Sequence, residues 1–294
     1  MERVSLIDRC VYNIGSVQGF LMETVTAILP IYHRTRVDWF KEALFSILSQ
    51  SRPLDEILII ADGLFDEAIS ATIQSFDDER IKVIQMAENK GLGQALAHGV
   101  KSAKGNLILR MDDDDISCSE RLEKQLNLIQ KNPEIAVCGG QIIERSSDLG
   151  VTGRARICPL HHEAILRGMR RRNTMNHVTT LFRRDAALRA GNYRGGTIGY
   201  EDYDLWFRMI EDGCRFANLD EYLVTVRFDL NQAQNRVGWR AIKYECFMQL
   251  DFWKKGYITF FIFVSNLAWR VMPRLMPKSL FLNLVRKILR RPVI

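Results

Sequence analysis

Four consecutive aspartates, Asp112, Asp113, Asp114 and Asp115, follow an apolar segment and are the most chemically informative residues of the sequence. Adjacent carboxylates repel one another, so a run of four implies a function that offsets this cost. If the extended chain continues through the run, Asp112 and Asp114 point to one face and the other two to the opposite face. Carboxylates on one face suit Mg²⁺ or Mn²⁺, with a diphosphate completing the coordination shell.

An alternative explanation is that the acidic run caps the helix that follows it. Residues 117–120 match the capping-box pattern, and acidic side chains are favourable near the positive end of a helix dipole. Capping alone requires one acid rather than four, although both roles are compatible. A calcium EF-hand is excluded because the loop glycine and the later glutamate are missing from their positions.

A second acidic pair, Glu201 and Asp202, begins a predicted helix after a glycine-rich stretch at 191–199. Acids in a first turn favour the helix dipole. Asp202 could instead be a general base after a flexible loop that closes over substrate. His177 could contact a polar substrate or simply cap a strand. The residues alone leave these alternatives open.

The first half of the chain predicts repeated strand–helix units that position these acids. Apolar runs at 25–29, 56–61, 81–84 and 107–111 predict buried strands, and amphipathic stretches lie between them. This alternation predicts an α/β fold with a mostly parallel sheet covered on both faces. Ligands bind beyond the carboxyl ends of such strands, where Asp62 and the four aspartates lie.

The second half of the chain alternates less clearly. Residues 135–138, 141–143 and 178–182 predict three further strands, and 154–172 predicts a basic loop. Residues 236–255 predict a helix that joins the body of the protein to its tail.

The Gly91-Leu92-Gly93 segment suggests dinucleotide binding, but the third glycine is absent and no strand directly precedes it. We interpret the segment as a tight turn that opens a helix, with Asn89 and Lys90 placed to meet a ligand. A P-loop lysine motif is missing from the sequence, which argues against an ATPase or kinase of that type.

Five motifs, in this order, resemble the family 2 glycosyltransferases, which have the Rossmann-like GT-A fold. They are ILPIY at 28–32, IIADG at 59–63, NKGLG at 89–93, RMDDDDI at 110–116 and YEDYDLW at 200–206. The similarity spans residues 25–227 and is greatest to bacterial enzymes that build exopolysaccharide, including amylovoran and colanic-acid transferases.

The resemblance implies a role for each matching position. Asp62 would accept a hydrogen bond from the nucleobase, and Asp112 would lie near the ribose and diphosphate. Asp114 would hold the metal, and Asp202 would deprotonate the acceptor hydroxyl. The implied nucleotide-sugar-binding residues are Pro30, Tyr32, Asp62, Asn89, Lys90, Gly91, Arg110, Asp112 and Asp113, the metal ligands are Asp112 and Asp114, and His177 and Glu201 are candidates for acceptor binding.

Two positions depart from the family pattern. Many relatives carry two adjacent acids where this chain has Ala61-Asp62, and many carry an Arg-x-His feature where this chain has Arg227-Phe228-Asp229.

The net charge of +6 arises in the C-terminal region, since residues 252–294 contain nine Lys/Arg and no Asp or Glu. The rest of the chain lacks a basic stripe with interleaved aromatics, so we expect no nucleic-acid partner. Apolar residues at 281–289 recur at helical spacing and predict a basic amphipathic helix. Such a helix suits an anionic membrane surface; the alternatives are a partner protein or packing against the body.

The distribution of cysteine, charged and apolar residues predicts the cellular compartment of the protein. The six cysteines stand singly, as is typical of a reducing environment. Charged residues interrupt the first 20 residues, so no signal peptide is predicted. The longest uncharged stretch, 256–269, has 14 residues, whereas a spanning helix needs about 20. We expect a cytoplasmic protein, peripheral on the inner face of the cell membrane.

The predicted organisation is an N-terminal extension at 1–23, a GT-A domain at 24–232 and a helical, basic, membrane-associating region at 233–294. The expected activity is inverting, metal-dependent transfer of a sugar, with UDP the expected nucleotide, to a lipid-linked or saccharide acceptor in bacterial surface polysaccharide synthesis. One alternative, a sugar nucleotidyltransferase, requires an early glycine-rich phosphate loop that is missing after Pro30. Another is a non-catalytic nucleotide-sugar-binding module.

Overall fold

The computed structural model describes residues 23–146, 154–197, 199–228, 239–275 and 291–292. The strands in these ranges are β1 (Val25–Ile31), β2 (Glu56–Ala61), β3 (Ile81–Gln85), β4 (Leu107–Arg110), β5 (Ile116–Ser117), β6 (Ile135–Ser146), β7 (Arg154–Arg156), β8 (Leu181–Arg183), β9 (Arg215–Phe228) and β10 (Arg291–Pro292). The helices are α1 (Val37–Leu48), α2 (Glu67–Ser75), α3 (Leu92–Ser102), α4 (Arg121–Lys131), α5 (His162–Met169), α6 (Arg184–Arg189), α7 (Glu201–Glu211), α8 (Trp239–Lys254) and α9 (Phe260–Val271).

These strands form one mixed sheet. Its main order is β10–β7–β6–β8–β4–β1–β2–β3, with β9 paired to β6 and to β5. Strands β4, β1, β2 and β3 are parallel to one another, whereas β8 is antiparallel to both β4 and β6. The predicted mostly parallel first half is therefore confirmed, and the antiparallel pairs belong to the second half.

The central parallel strands are buried on both faces because helices cover each side, whereas the edge strand β3 is partly exposed. Every residue of β1 and β2 is buried. Val25, Ala27 and Leu29 of β1 pack in one core with α1. Ile28 joins the other core, with α3 and α7. The period-2 alternation of a strand thus distributes one apolar run between two cores.

The second half differs from its predicted elements in three places. Residues 135–146 form one strand, β6, rather than two, and the predicted basic loop contains β7 and α5. The segment predicted as a strand at 178–182 begins as a short 3-10 turn, His177–Thr179. The Thr179 hydroxyl donates to Asn176 O at 2.7 Å, and Gln125 Nε2 donates to Thr179 O at 2.8 Å, so side chains stabilise the turn.

A helical hairpin, α8–α9, follows the sheet and packs on α7. Phe252 of α8 lies edge-on to Tyr203, with ring centroids 4.8 Å apart, and contacts Phe207. None of the helices in the described ranges combines the length and apolar composition that crossing a bilayer requires. The predicted N-terminal extension and the predicted amphipathic helix at 281–289 lie outside the described residues, while Arg291 and Pro292 pair with β7.

Candidate active site

The acidic run forms a turn rather than an extension of β4. The strand ends at Arg110, and the chain turns at Asp113 and Asp114 before β5. The prediction of alternating faces is therefore wrong. The reason is Arg227 of β9, whose guanidinium donates to Asp114 O and whose backbone N–H donates to Asp115 Oδ1 at 3.0 Å.

The predicted capping box is also wrong. Helix α4 begins at Arg121, and its N-cap residue, Glu120, makes no side-chain capping hydrogen bond. The aspartates are therefore not explained by the helix that follows them.

Each aspartate has a different environment. Arg110 donates to Asp112, whose side chain is 35% exposed. The Thr35 hydroxyl donates to Asp113, while Asp115 is 2% exposed. Burial raises the pKa of Asp113 to about 6, opposed by the Thr35 hydrogen bond and assisted by the charge of Asp112. Burial, together with Asp112 and Asp114, raises the pKa of Asp115 well above its ordinary value. The turn therefore concentrates negative charge that a cation would relieve.

Two buried arginines lie beneath this turn. Arg110 is 1% exposed and pairs with Asp112, but its Nε and Nη1 lack hydrogen-bond partners within the described part of the chain. Arg121 donates from Nη2 to Arg110 O at 2.9 Å, and burial lowers its pKa to about 9. A buried donor without an acceptor is costly, so Arg110 is suited to meet a ligand oxygen. The sequence analysis named Arg110 as a donor-binding candidate but not Arg121.

The turn has the donor chemistry for a hard cation, although a set of three or more His, Cys, Asp or Glu side chains arranged as a metal site is absent from the described residues. Asp112 and the half-buried Asp114 could each supply a carboxylate oxygen. The remaining ligands of Mg²⁺ or Mn²⁺ would then come from a substrate diphosphate and water, as is usual when the protein supplies one or two carboxylates.

Asp62, at the end of β2, holds the loop that precedes α3 in place through hydrogen bonds. Its carboxylate accepts from the backbone N–H groups of Lys90 at 2.7 Å and Gly91 at 2.8 Å, while Asn89 Nδ2 donates to Asp62 O at 3.1 Å. Gly91 has φ 87°, which favours glycine. A carboxylate offers about four acceptor positions, so Asp62 retains capacity for a nucleobase N–H.

Two further predicted residues lie at the end of β1. Pro30 is buried inside the strand, opposite Ile60. Tyr32 follows the strand, is 41% exposed, and donates its backbone N–H to the Thr35 hydroxyl at 3.0 Å. Burial, Asp113 and Asp114 raise the pKa of Tyr32, which places this ring beside the acidic turn.

Glu201 and Asp202 occupy the first turn of α7. Asp202 is half-buried, and Asn173 Nδ2 donates to its Oδ2 at 2.6 Å. Burial raises the pKa of Asp202, opposed by hydrogen bonds from the Tyr203 backbone and Asn173. Glu201 accepts from Gly199 N at 2.9 Å and approaches α3, since a Cβ added at Gly93 would lie 2.9 Å from its Cγ. A carboxylate with a raised pKa is suited to proton abstraction.

His177 joins the acidic turn and α7 through Tyr193. The imidazole Nε2 and the Tyr193 hydroxyl are 2.8 Å apart. Burial and then Arg110 lower the pKa of His177 well below its ordinary value, so the ring is neutral at pH 7. Burial raises the pKa of Tyr193, with further contributions from Asp202 and other site acids. Tyr193 was missed by the sequence analysis, where only the neighbouring glycines marked this loop.

The structure therefore brings three predicted segments into one cluster. The acidic turn, the α3 N-terminus and the α7 N-terminus meet around buried Arg110 and Tyr193. Pro30 is the predicted donor-binding residue whose side chain lies within the sheet rather than at this edge.

Comparison with known proteins agrees with this architecture. The family model for glycosyl transferase family 2 matches residues 26–191. The UDP-Gal:alpha-D-GlcNAc-diphosphoundecaprenol beta-1,3-galactosyltransferase of Escherichia coli is 30% identical, covering 90% of this chain and 96% of the relative. Amylovoran biosynthesis glycosyltransferase AmsE of Erwinia amylovora is also 30% identical, covering 89% and 98%.

Solved structures show the same fold at low sequence identity. TarS 1–349 of S. aureus in complex with UDP-GlcNAc has a TM-score of 0.58 at 15% identity, covering 78% of this chain and 66% of that one. The mannosyltransferase PcManGT from Pyrobaculum calidifontis in complex with GDP-Man and Mn²⁺ has a TM-score of 0.56 at 16% identity, covering 90% and 80%. The sheet is thus a GT-A sheet, and the chain belongs to family 2 of the glycosyltransferases.

Proposed function

We propose that this chain is an inverting, metal-dependent glycosyltransferase that moves a sugar from a UDP-sugar to a lipid-linked or saccharide acceptor in bacterial surface polysaccharide synthesis. The observation that carries the proposal is the position of Asp202. A half-buried carboxylate of raised pKa lies in the same cluster as the aspartates at the end of β4.

The choice of a uridine nucleotide is supported by similarity. The E. coli relative named above uses UDP-Gal, and TarS has been solved with UDP-GlcNAc. PcManGT, by contrast, has been solved with GDP-Man. Asp62 is the expected acceptor for the nucleobase, and Asn89, Lys90 and Gly91 line the adjoining loop.

The proposed reaction is a single displacement. Asp202 takes the proton of an acceptor hydroxyl, whose oxygen forms a bond to the anomeric carbon as the bond from that carbon to the diphosphate oxygen breaks. Attack opposite the leaving group inverts the anomeric configuration. Mg²⁺ or Mn²⁺ at Asp112 and Asp114 would offset the charge on the departing diphosphate. Arg110 is placed to add a second, permanent positive charge.

The acceptor and the location are proposed from chemistry and similarity together. The E. coli relative acts on a sugar joined to diphosphoundecaprenol, a lipid. The C-terminal region of this chain is basic and rich in apolar residues, which suits an anionic bilayer surface. We therefore place the enzyme on the inner face of the membrane. The proposal includes either a lipid-linked sugar or a growing saccharide as acceptor, with Glu201 and His177 as candidate acceptor-binding residues.

The first test is calorimetric titration of the full chain with UDP, with and without Mn²⁺. We expect Mn²⁺ to strengthen UDP binding, and Asp112→Asn and Asp114→Asn to abolish that gain. Asp185→Asn is the matched control because its side chain is 68% exposed on α6, away from the cluster. Equal UDP affinity with and without Mn²⁺ would remove the metal from the proposal, and failure to bind UDP, GDP or TDP would overturn it.

A second measurement separates an enzyme from a binding module. A wild type that transfers sugar, with an Asp202→Asn variant that binds UDP normally but does not turn over, supports the enzyme. UDP binding without turnover of any nucleotide sugar by the wild type supports the binding module.

A further inference from the structure

Helix α9 leaves a long apolar face uncovered. Phe261 is 84% exposed, Trp269 74% and Met272 65%. Several of these positions repeat every three or four residues and therefore share one side of the helix. We define the α9 face as the exposed apolar residues of α9 and of the 3-10 turn Met272–Leu275 that follows it, namely Phe260, Phe261, Val264, Ala268, Trp269, Met272 and Leu275. Contiguous exposed apolar surface marks an interaction site, whereas single exposed apolar residues need no explanation.

The α9 face is not the outer side of an ordinary amphipathic helix. A helix on a water-soluble surface turns its apolar stripe inward and its polar side chains outward. In α9 the fully buried residue is Asn266, and the one charged residue, Arg270, points inward to Glu245. Ile262 and Phe263 pack partly against the core, and the outward side also carries aromatic and aliphatic residues. The sequence has therefore placed apolar side chains where they need an external apolar partner.

A buried polar network fixes this orientation. Glu245 of α8 is 5% exposed and accepts from Arg270 Nε and Nη2. Asn266 Nδ2 donates to Gln249 Oε1 at 2.9 Å and to Arg170 O at 3.0 Å. If α9 were rotated to bury its apolar side, Asn266 and Arg270 would lose these hydrogen-bond partners. Buried polar groups such as the Glu245 carboxylate would then be left unsatisfied, which costs free energy. The α9 face is consequently held outward.

We propose that the α9 face docks on the surface of an anionic lipid bilayer. Aromatic side chains such as Trp269 and Phe261 are favoured at the boundary between headgroups and acyl chains. Charge selects the bilayer over a second copy of this chain, because residues 252–294 carry nine Lys/Arg and no acids, and ion pairs of Lys255 and Arg270 with acids outside this range account for two of the nine. Two such regions would repel each other, whereas anionic headgroups attract each of them. The lipid-linked acceptor is the one part of the proposed function on which this inference rests.

The docking face has a fixed relation to the general base. Arg270 Nη1 donates to Arg171 O at 3.1 Å, in the segment that follows α5. Two residues further on, Asn173 holds Asp202. Tyr203, the next residue of α7, contacts Phe252 of α8. The hairpin and the first turn of α7 therefore form one packed unit, so docking through α9 would present the site at a set orientation to the bilayer.

The test is flotation of the full chain with phosphatidylcholine vesicles, with or without phosphatidylglycerol. We expect Phe261→Ser/Trp269→Ser to weaken vesicle partitioning at least about tenfold. Phe45→Ser is the matched control, since Phe45 is 61% exposed on α1, away from α9. The wild type should bind better when phosphatidylglycerol is present, and added salt should reduce that difference.

Besides a wild type that binds no vesicle, two outcomes would overturn the inference. One is vesicle binding by the α9 variant equal to that of the wild type and Phe45→Ser. The other is a wild-type dimer, detected by sedimentation, that dissociates in the α9 variant, because the face would then be a contact between copies.

UDP titration of the same variants separates this inference from the proposed function. Loss of vesicle binding with unchanged UDP affinity supports the α9 face. A wild type that binds vesicles but no nucleotide contradicts the proposed function while leaving the docking surface in place. A wild type that binds nucleotide but no vesicle contradicts the docking surface while leaving the proposed function in place.

Discussion

Asn173 donates through Nδ2 to Oδ2 of Asp202 at 2.6 Å, although the two residues lie in different segments, one after α5 and one in α7. A hydrogen bond to the charged form of a carboxylate lowers its pKa, whereas burial raises it. Asn173 thus opposes the effect of burial on Asp202. The pKa of the proposed base is set by burial against the hydrogen bonds from the Tyr203 backbone and from Asn173.

Substituting Asn173 should therefore change the pH dependence of transfer. In Asn173→Ala the pKa of Asp202 should rise further, because burial would no longer be opposed by that hydrogen bond. The acidic limb of the rate profile should move to higher pH, while Asp202→Asn should lose about a hundredfold to ten-thousandfold in rate. The measurement is initial rate against pH. A profile for Asn173→Ala that coincides with the wild type would contradict this role.

Asp62→Asn should loosen the loop before α3. The N–H groups of Lys90 and Gly91 bind different carboxylate oxygens, and an amide replaces one of those oxygens with an NH2 donor, so one of the two hydrogen bonds is lost. We expect a loss of about 1–3 kcal/mol in the free energy of unfolding, together with weaker UDP binding.

The control for Asp62 is Asp66→Asn. Asp66 accepts from Ala68 N at the start of α2, where asparagine caps a helix as well as aspartate. Denaturant unfolding of both variants gives the comparison. Equal stabilities for the two variants would show that the Asp62 hydrogen bonds contribute little.

Arg227→Met should disturb the acidic turn. The Arg227 side chain is 2% exposed and donates both to Asp114 O and to the Glu42 carboxylate. Removing it takes away the donor to the half-buried Asp114 carbonyl and the charge that pairs with Glu42, so we expect about 1–3 kcal/mol of destabilisation. The Mn²⁺-dependent gain in UDP affinity should also fall.

The partner residue provides the comparison for Arg227. The Glu42 side chain is 52% exposed, so Glu42→Ala should cost less than about 1 kcal/mol. Thermal unfolding of both variants measures the difference. An Arg227→Met variant no less stable than Glu42→Ala would contradict the role of Arg227 in holding the acidic turn.

Asp113 should make stability depend on pH. Its pKa is about 6 in the folded protein against a reference of 3.8, so the folded state binds more protons between these values. The contribution of Asp113 to the free energy of unfolding therefore falls as pH rises from about 4 to about 6. It stays at its lowest value above that range.

Asp113→Asn should remove this loss. We expect the variant to be more stable than the wild type at neutral pH and to show no such gain below about pH 4. Urea unfolding in the presence of a chelator gives the comparison, since a bound cation would mask the repulsion. A stability difference that is the same at both pH values would contradict the assignment.

Local patterns predicted the parts of the site that follow directly from strands. Asp62 and Asp112 come after continuous apolar runs, and the end of such a run marks the ligand-binding edge of a parallel sheet. The metal, the nucleobase and the membrane remain predictions. The direction in which each aspartate side chain points could not be predicted from such local patterns. Arg227, which sets the turn, donates to Asp115 across 112 positions of sequence.

The sequence by itself determined the strand–helix order, the family motifs and the acidic character of the site, because periodicity and composition are properties of neighbouring residues. Tertiary structure decided that Tyr193 lies near both Arg110 and the acids of α7, and that α9 turns Asn266 inward and Phe261 outward. The physical reason is that such contacts join segments far apart in the chain. They depend on which surfaces pack together and which buried polar groups find partners, and no local pattern records either.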